Sequence, residues 1–361
     1  MITTIIPTFK RPLLLRRSIE SVLTQSYGDF TVMVCDNASN DETEDVVREY
    51  MRHDKRIIYV KRHENIGAVN NMTAGVNAVN TSYYSLLNDD DFLLPGFYER
   101  AIASFKENQD SFFSCQKTLV SDIQNKNFIF LNPDWDSGVF SPSPEVVSKM
   151  FNSHFVPTAV LFRKEIKDQT GGFDPLGSDS IYLTILAAAF PFVVVNHYGG
   201  SVTLHSEAYS MVNDGLNKES FEFLNHALKA HIRLIANLNL PSDVNTSLLF
   251  HVILSYQRIF DSKNLKALFG DAPSESLRQS VPSLITNRGL ARKFYLMTPS
   301  SLKPIYKNIY SHISKYRAKK AQNNDSRLVH MSEEALQCLN TNSSDLSRVH
   351  RQIFSLNRSS P

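Results

Sequence analysis

The sequence predicts an α/β fold, with a mostly parallel central sheet flanked by helices and a mainly helical C-terminal extension. Three observations carry that expectation. Short β-branched runs alternate with amphipathic helix-length runs through residues 1–95, acidic and polar residues collect just after the strand-like runs, and strand signals give way to helical periodicity beyond Leu216. With 361 residues, 42% of them apolar and 20% charged, the chain has ample material for a core, which excludes disorder as its main state.

The elements follow in order. Residues 3–6 are an apolar β-branched strand that stops at Pro7, where a backbone donor is lost. Pro12 opens a helix over 12–24, with Leu13, Leu14, Ile19, Val22 and Leu23 at helical spacing. Residues 30–35 form the second strand, with Asp36 at its C-terminal tip; Ser39, Asp41 and Glu42 then precede a helix over 44–51. A third strand over 57–60 leads to a polar turn at Asn65 and Gly67 and a helix over 69–79. The fourth strand, 83–87, runs into Asn88, Asp89, Asp90 and Asp91. Sheets of this kind place ligands at the carboxyl ends of their strands, where Asp36 and the acidic cluster fall.

Beyond residue 95 the pattern loosens. Residues 132–143 are expected to be a loop, 158–162 a strand, 179–189 a helix and 192–195 a late strand. Helical runs over 221–238 and 246–260, with loops at 271–283 and 323–325, set a boundary near residue 215. Residues 1–215 are thus expected to form the catalytic domain, divided into halves 1–95 and 96–215, and 216–361 a mainly helical region. The net charge of +2 conceals an asymmetry: residues 1–210 hold 18 lysines and arginines against 25 acidic residues, and residues 211–361 hold 20 against 11. Three scattered cysteines argue against a disulfide framework and for a reducing compartment. The sequence opens directly into a strand, so no secretory leader is expected. The most apolar stretch, residues 181–195, is interrupted by Pro191 and falls short of the roughly 20 residues a membrane-spanning helix needs.

Three adjacent carboxylates at a strand end repel one another unless solvent or a cation offsets them, and a hard divalent ion completed by diphosphate oxygens is the natural partner. A solvated acidic turn is the alternative. At four places the chain resembles glycosyltransferase family 2, an inverting family with the Rossmann-like GT-A fold. These are Thr4 to Pro12, Ser21 to Tyr27 (SVLTQSY), Val34 to Asp41 (VCDNASND) and Asn88 to Pro95 (NDDDFLLP), in the family's order and spacing. The resemblance covers residues 1 to about 205.

The resemblance implies roles. Pro7, Thr8 and Arg11 would line the nucleotide-sugar site, Asp36 would accept from the imide N–H of uracil or thymine, and Gly67 and Asn71 would lie beside the nucleotide. Asn88 and Asp89 would approach the ribose or diphosphate. Asp90, with Asp91 and His205, would hold Mn²⁺ or Mg²⁺. Asp179, after the segment Thr170 to Ser178, would be the general base. The alternatives are Asp36 as a turn residue or helix cap, and Asp179 as the cap of its own helix. The family writes Asp where this chain has Asn88, which brings no charge to a metal.

The implied activity is metal-dependent inverting transfer of a sugar from a nucleoside-diphosphate sugar, UDP or dTDP, to a glycan or lipid-linked acceptor in bacterial surface polysaccharide synthesis. A nucleotide-sugar-binding subunit without turnover is the first rival. A sugar nucleotidyltransferase is the weaker one, since residues 8–12 contain no glycine for a triphosphate loop. The expected location is cytoplasmic. Lys303, Lys307, Lys315, Arg317, Lys319 and Lys320, interleaved with Ile and Tyr, suit either peripheral contact with an anionic membrane or packing on the catalytic domain. No nucleic-acid recognition element accompanies this charge, and the reading leaves room for a homo-oligomer.

Overall fold

An unbroken β-branched run wants burial on both faces, and β1 (Ile2–Thr8) has it, paired in parallel with β2 (Phe30–Asp36) and β4 (Tyr83–Leu86). The computed structural model describes residues 1–131, 135–170, 179–205, 218–255, 328–340 and 345–357. β3 (Ile57–Lys61) adds in parallel to β2, and helices α1 (Pro12–Leu23), α2 (Thr43–His53) and α3 (Ala68–Asn77) make the crossovers. Alternation along β1 sends Ile2 and Ile6 into one core, with Leu15, Ile19 and Val22 of α1, and Ile5 into another, with Val76 of α3. α3 lies close because Gly75 faces the sheet: a Cβ there would stand 2.7 Å from Ile5 Cγ2 and 2.9 Å from Cys35 Sγ.

The second half of the sheet is mixed. The chain passes through β5 (Phe92–Leu93), α4 (Phe97–Glu107), β6 (Phe113–Asp122), β7 (Asn127–Phe130), β8 (Gly138–Phe140) and α5 (Pro144–Asn152). It continues with β9 (Val160–Arg163), α6 (Glu165–Gln169), α7 (Asp179–Ala189) and β10 (Phe192–Leu204). β9 runs antiparallel between β4 and β6, while β10 runs parallel to β6. The parallel pairing anticipated from residues 1–95 therefore holds for β1 to β4 and gives way to mixed pairing beyond. The 132–143 segment, expected to be a loop, contributes β8 and the buried Trp135. The late strand does not stop at Val195 but continues to Leu204 across two register shifts, which carry it past Asn196 to Gly199.

α8 (Lys218–Asn237) and α9 (Ser242–Ser255) pack their apolar residues on α7. Residues 328–357 return to the sheet. β11 (Leu328–His330) pairs antiparallel with β7, and α10 (Glu333–Asn340) and α11 (Ser347–Asn357) pack against Phe92, Leu94 and Leu119. The extension is thus not purely helical, and its last described residues belong to the same core as the acidic loop. The expected loops at 271–283 and 323–325 and the basic run 303–320 lie outside the described residues. Among the described residues no helix is long and apolar enough to cross a membrane, and the three cysteines are buried thiols outside any disulfide.

Candidate active site

Register puts Thr8 beside Asp36 at the carboxyl edge of the sheet. The loop after β4 reaches the same edge because α1 holds it from behind. Ser18 Oγ donates to the Asp91 carbonyl at 2.6 Å, Ser21 Oγ accepts from Leu93 N at 3.0 Å, and Gln25 bonds Leu94 O at 3.0 Å and Phe97 N at 3.1 Å. This row of polar side chains along α1 explains the SVLTQSY stretch: it satisfies the backbone of an irregular buried segment.

Asp36 is buried. Its Oδ1 accepts from Ser39 N at 2.9 Å and Ser39 Oγ at 2.6 Å, and its Oδ2 from the Tyr59 hydroxyl at 2.6 Å. The turn geometry weighed from the sequence is therefore present. A carboxylate offers about four lone-pair directions, so one remains, on Oδ2. Lys10 N donates to Ser39 Oγ at 2.9 Å, tying the loop after β1 to the tip of β2. Lys10, Ala38 and Asn40 all have positive φ there. Pro7 is half-buried, in register with Cys35. Asn71 is buried, donating to the Cys35 carbonyl at 2.7 Å and accepting from Arg62 at 3.1 Å. Gly67, at φ +85°, gives α3 its start. Asn37 joins these loops, bonding Asn65 Oδ1 at 2.7 Å and Ile66 N at 2.9 Å.

The acidic residues divide into two kinds. Asp89 accepts from Thr8 Oγ1 at 2.8 Å and from Arg11 at 3.1 Å. Asp90 Oδ2 accepts from Arg11 at 2.7 Å and lies 3.3 Å from His205 Nε2. Asp91 points into the protein, where Thr158 Oγ1 (2.8 Å), Thr203 N (3.1 Å) and Asn88 Nδ2 (3.2 Å) occupy both its oxygens. Burial, and then the Asp90 charge beside them, push the Asp89 and Asp91 carboxyls up from the ordinary carboxylate range. Thr8, Arg11, Asp89, Asp90 and His205 are thus brought together, Asn88 and Asp91 lie just behind, and Asp36 with its supports sits at the next strand tip.

Asp179 is the first residue of α7, and residues 171–178 before it lie outside the described residues. Among the described residues no group of three or more His, Cys, Asp or Glu side chains forms a metal site. A carboxylate beside an imidazole is nonetheless a donor pair that suits Mn²⁺, with substrate oxygens and water as the remaining ligands, so the residues fit a shared rather than a closed cation site. Sequence reasoning missed Tyr59, Thr158 and Thr203, which hold the Asp36 and Asp91 carboxylates from outside any motif. Phe9, beside Thr8 and singled out by no sequence signal, is 37% exposed, with Lys10 Nζ 5.2 Å from its ring centroid.

Comparison with known proteins identifies the family that part of the chain matches and the fold it shares. Residues 3–170 fit the family described as Glycosyl transferase family 2. Over 235 residues, 63% of the chain, it is 26% identical to the chondroitin synthase of Escherichia coli, covering 32% of that protein. Over 222 residues, 60% of the chain, it is 24% identical to the E. coli UDP-Glc:alpha-D-GlcNAc-diphosphoundecaprenol beta-1,3-glucosyltransferase WfaP, covering 83% of it. Over 112 residues, 30% of the chain, it is 32% identical to an uncharacterized glycosyltransferase of Methanocaldococcus jannaschii, and spans 39% of that relative. Two of these three relatives are therefore matched over well under half their length. The fold is shared with Staphylococcus aureus TarS 1–349, solved in complex with UDP-GlcNAc, at a TM-score of 0.59 and 13% identity over 99% of this chain and 92% of that one. The architecture is GT-A, with a central sheet flanked by helices and a C-terminal extension.

Proposed function

We propose that this chain, which belongs to glycosyltransferase family 2 through residues 3–170, transfers a sugar from UDP- or dTDP-sugar to a glycan or lipid-linked acceptor of a surface polysaccharide, with inversion and on the cytoplasmic side. The observation that carries the reading is the meeting of Thr8, Arg11, Asp89, Asp90 and His205 at one sheet edge, next to an Asp36 with one acceptor direction left. That single acceptor matches the single imide N–H of uracil or thymine. The Phe9 ring offers the base a face, and Arg11 a fork for diphosphate oxygens.

Asp90 and His205 would hold the divalent ion, which when bound supplies positive charge to the leaving diphosphate. Asp179 takes the acceptor hydroxyl proton while that oxygen bonds to the anomeric carbon and the bond from carbon to diphosphate oxygen breaks. An ordinary carboxylate is too weak a base to deprotonate an alcohol beforehand, so proton transfer and attack are concerted. WfaP and the chondroitin synthase, by their names, build glycans, one of them on a diphosphoundecaprenol lipid, which supports the acceptor class.

The test is release of nucleoside diphosphate from a panel of UDP-, dTDP- and GDP-sugars with Mn²⁺ or Mg²⁺. Slow metal-dependent release from one donor is expected, and Asp179→Ala and Asp90→Ala should each lower it about a hundredfold or more with folding intact. Binding without release in any condition would favour the inactive-subunit reading. Pyrophosphate formed from sugar phosphate and nucleoside triphosphate would favour nucleotidyl transfer.

A further inference from the structure

Arg17 lies mid-helix in α1 with its side chain fully buried behind the acidic loop. A guanidinium in the interior needs acceptors and counter-charge, because an unpaired buried ion is very costly. Nη2 donates to the backbone carbonyl of Asp90 at 2.8 Å and to Thr203 Oγ1 at 3.2 Å, and Nη1 donates to the backbone carbonyl of Leu339 at 3.4 Å. The cation also lies 5.6 Å from the centroid of the Phe92 ring.

These acceptors belong to three segments far apart in sequence. Asp90 is the centre of the acidic loop, Thr203 stands two residues before His205, and Leu339 closes the last turn of α10. Carbonyls at a helix C-terminus lack intrahelical partners and carry the negative end of its dipole, so a cation is the partner they favour. The hairpin of α10 and α11 reaches the same loop by packing: Leu336, Leu339, Val349 and Ile353 share a core with Phe92 and Leu94, the two residues on either side of Leu93. Only a planar fork reaches in three directions at once; a lysine brings the charge without that geometry.

We infer that Arg17 is a positioning residue which sets the Asp90 backbone against the strand carrying His205, and that the C-terminal hairpin, docked on the back of the same loop, holds that arrangement in place. The chain's last described residues act on the donor site from behind, through α1. The inference rests on the proposed role of Asp90 and His205, so its test includes a measurement that does not depend on turnover.

Full-length Arg17→Met, Arg17→Lys and Leu336→Ala are compared with the parent by amide hydrogen exchange and by steady-state kinetics on the donor that the panel identifies. Arg17→Met should raise exchange across residues 88–94 about tenfold while the amides of β1 stay within about twofold. It should lower kcat about tenfold with the acceptor KM within about threefold. Arg17→Lys should recover part of both effects, and Leu336→Ala, which loosens the hairpin without touching Arg17, should move both the same way by less. Unchanged exchange at 88–94 in Arg17→Met or Leu336→Ala overturns the inference, as does a parallel rise in β1. If Arg17→Met does not fold, the other two variants decide. If the parent shows no transfer with any donor, the proposed function fails alone and exchange still decides the coupling.

Discussion

Asp36→Asn separates a base-reading carboxylate from a turn residue. Asparagine is close to isosteric, and its Oδ1 can keep both bonds from Ser39, at 2.9 and 2.6 Å in the parent. The amide nitrogen then replaces Oδ2, and the Tyr59 hydroxyl, 2.6 Å away, must turn from donor to acceptor. The fold exchanges charge-assisted bonds for neutral ones, a loss of about 1 kcal/mol, or roughly 1–2 °C in Tm. The nucleotide loses more, because the one free acceptor becomes an N–H facing another N–H. Losing a charge-assisted bond and leaving two donors opposed costs about 2–3 kcal/mol, roughly 30- to 150-fold in Kd for UDP. Cytosine presents an acceptor where uracil presents its imide N–H, so CDP should weaken far less and the ratio of the two affinities should fall. Isothermal titration of UDP and CDP against both proteins reads this directly. A variant with a lowered Tm and unchanged UDP affinity would show that Asp36 serves only its turn, and the argument from the remaining lone pair would fail.

Asp91→Ala should behave as a core mutation, because it strands the buried Thr158 hydroxyl and Thr203 N–H. A loss of about 2–4 kcal/mol is expected, seen as a lower urea midpoint at constant m, and an unmoved midpoint would contradict the inward orientation described above. Gly75→Ala sets up to about 1 kcal/mol of helix propensity against a contact of 2.7 Å with Ile5 that costs about 1–3 kcal/mol to relieve. Net destabilisation should appear in the same titration; a gain in stability would mean that α3 lifts off the sheet easily.

Much of this was legible in the sequence where one physical signal governs. β1 to β4 and the helices between them fall within about two residues of the ranges read from periodicity and proline placement, the ordinary error at element ends, because each is a plain alternation of apolar runs and caps. β10 was read too short because Asn196 and the Gly199–Gly200 pair look like a turn. The strand survives there by bulging, and a Cβ at Gly199 would lie 2.8 Å from both Gln116 and Phe97. Motifs mark Thr8, Arg11, Asp89 and Asp90, the resemblance adds His205, and the fold brings these five side chains to one sheet edge. Tyr59 and Thr158 were not legible, since a lone hydroxyl in a strand or turn becomes a partner only through long-range contact. Ser18 and Ser21 on α1, with Gln25 just past its end, are buried beside the apolar stripe of Leu15, Ile19 and Val22, so α1 buries a polar face as well as an apolar one. Leu328 to Asn357 carries helical periodicity of its own, but periodicity shows only that a face is buried and not which distant edge covers it.

The return of β11 and its hairpin to the sheet orders events during synthesis. Phe92 and Leu94 leave the ribosome long before Ile353, at 5–20 residues per second an interval of roughly 15–50 s, during which their apolar backs have no cover from the chain that will finally hide them. Until then that patch is exposed unless a chaperone or a provisional contact shields it, and premature termination shortly before the hairpin would release a polypeptide that is nearly whole yet sticky at one spot.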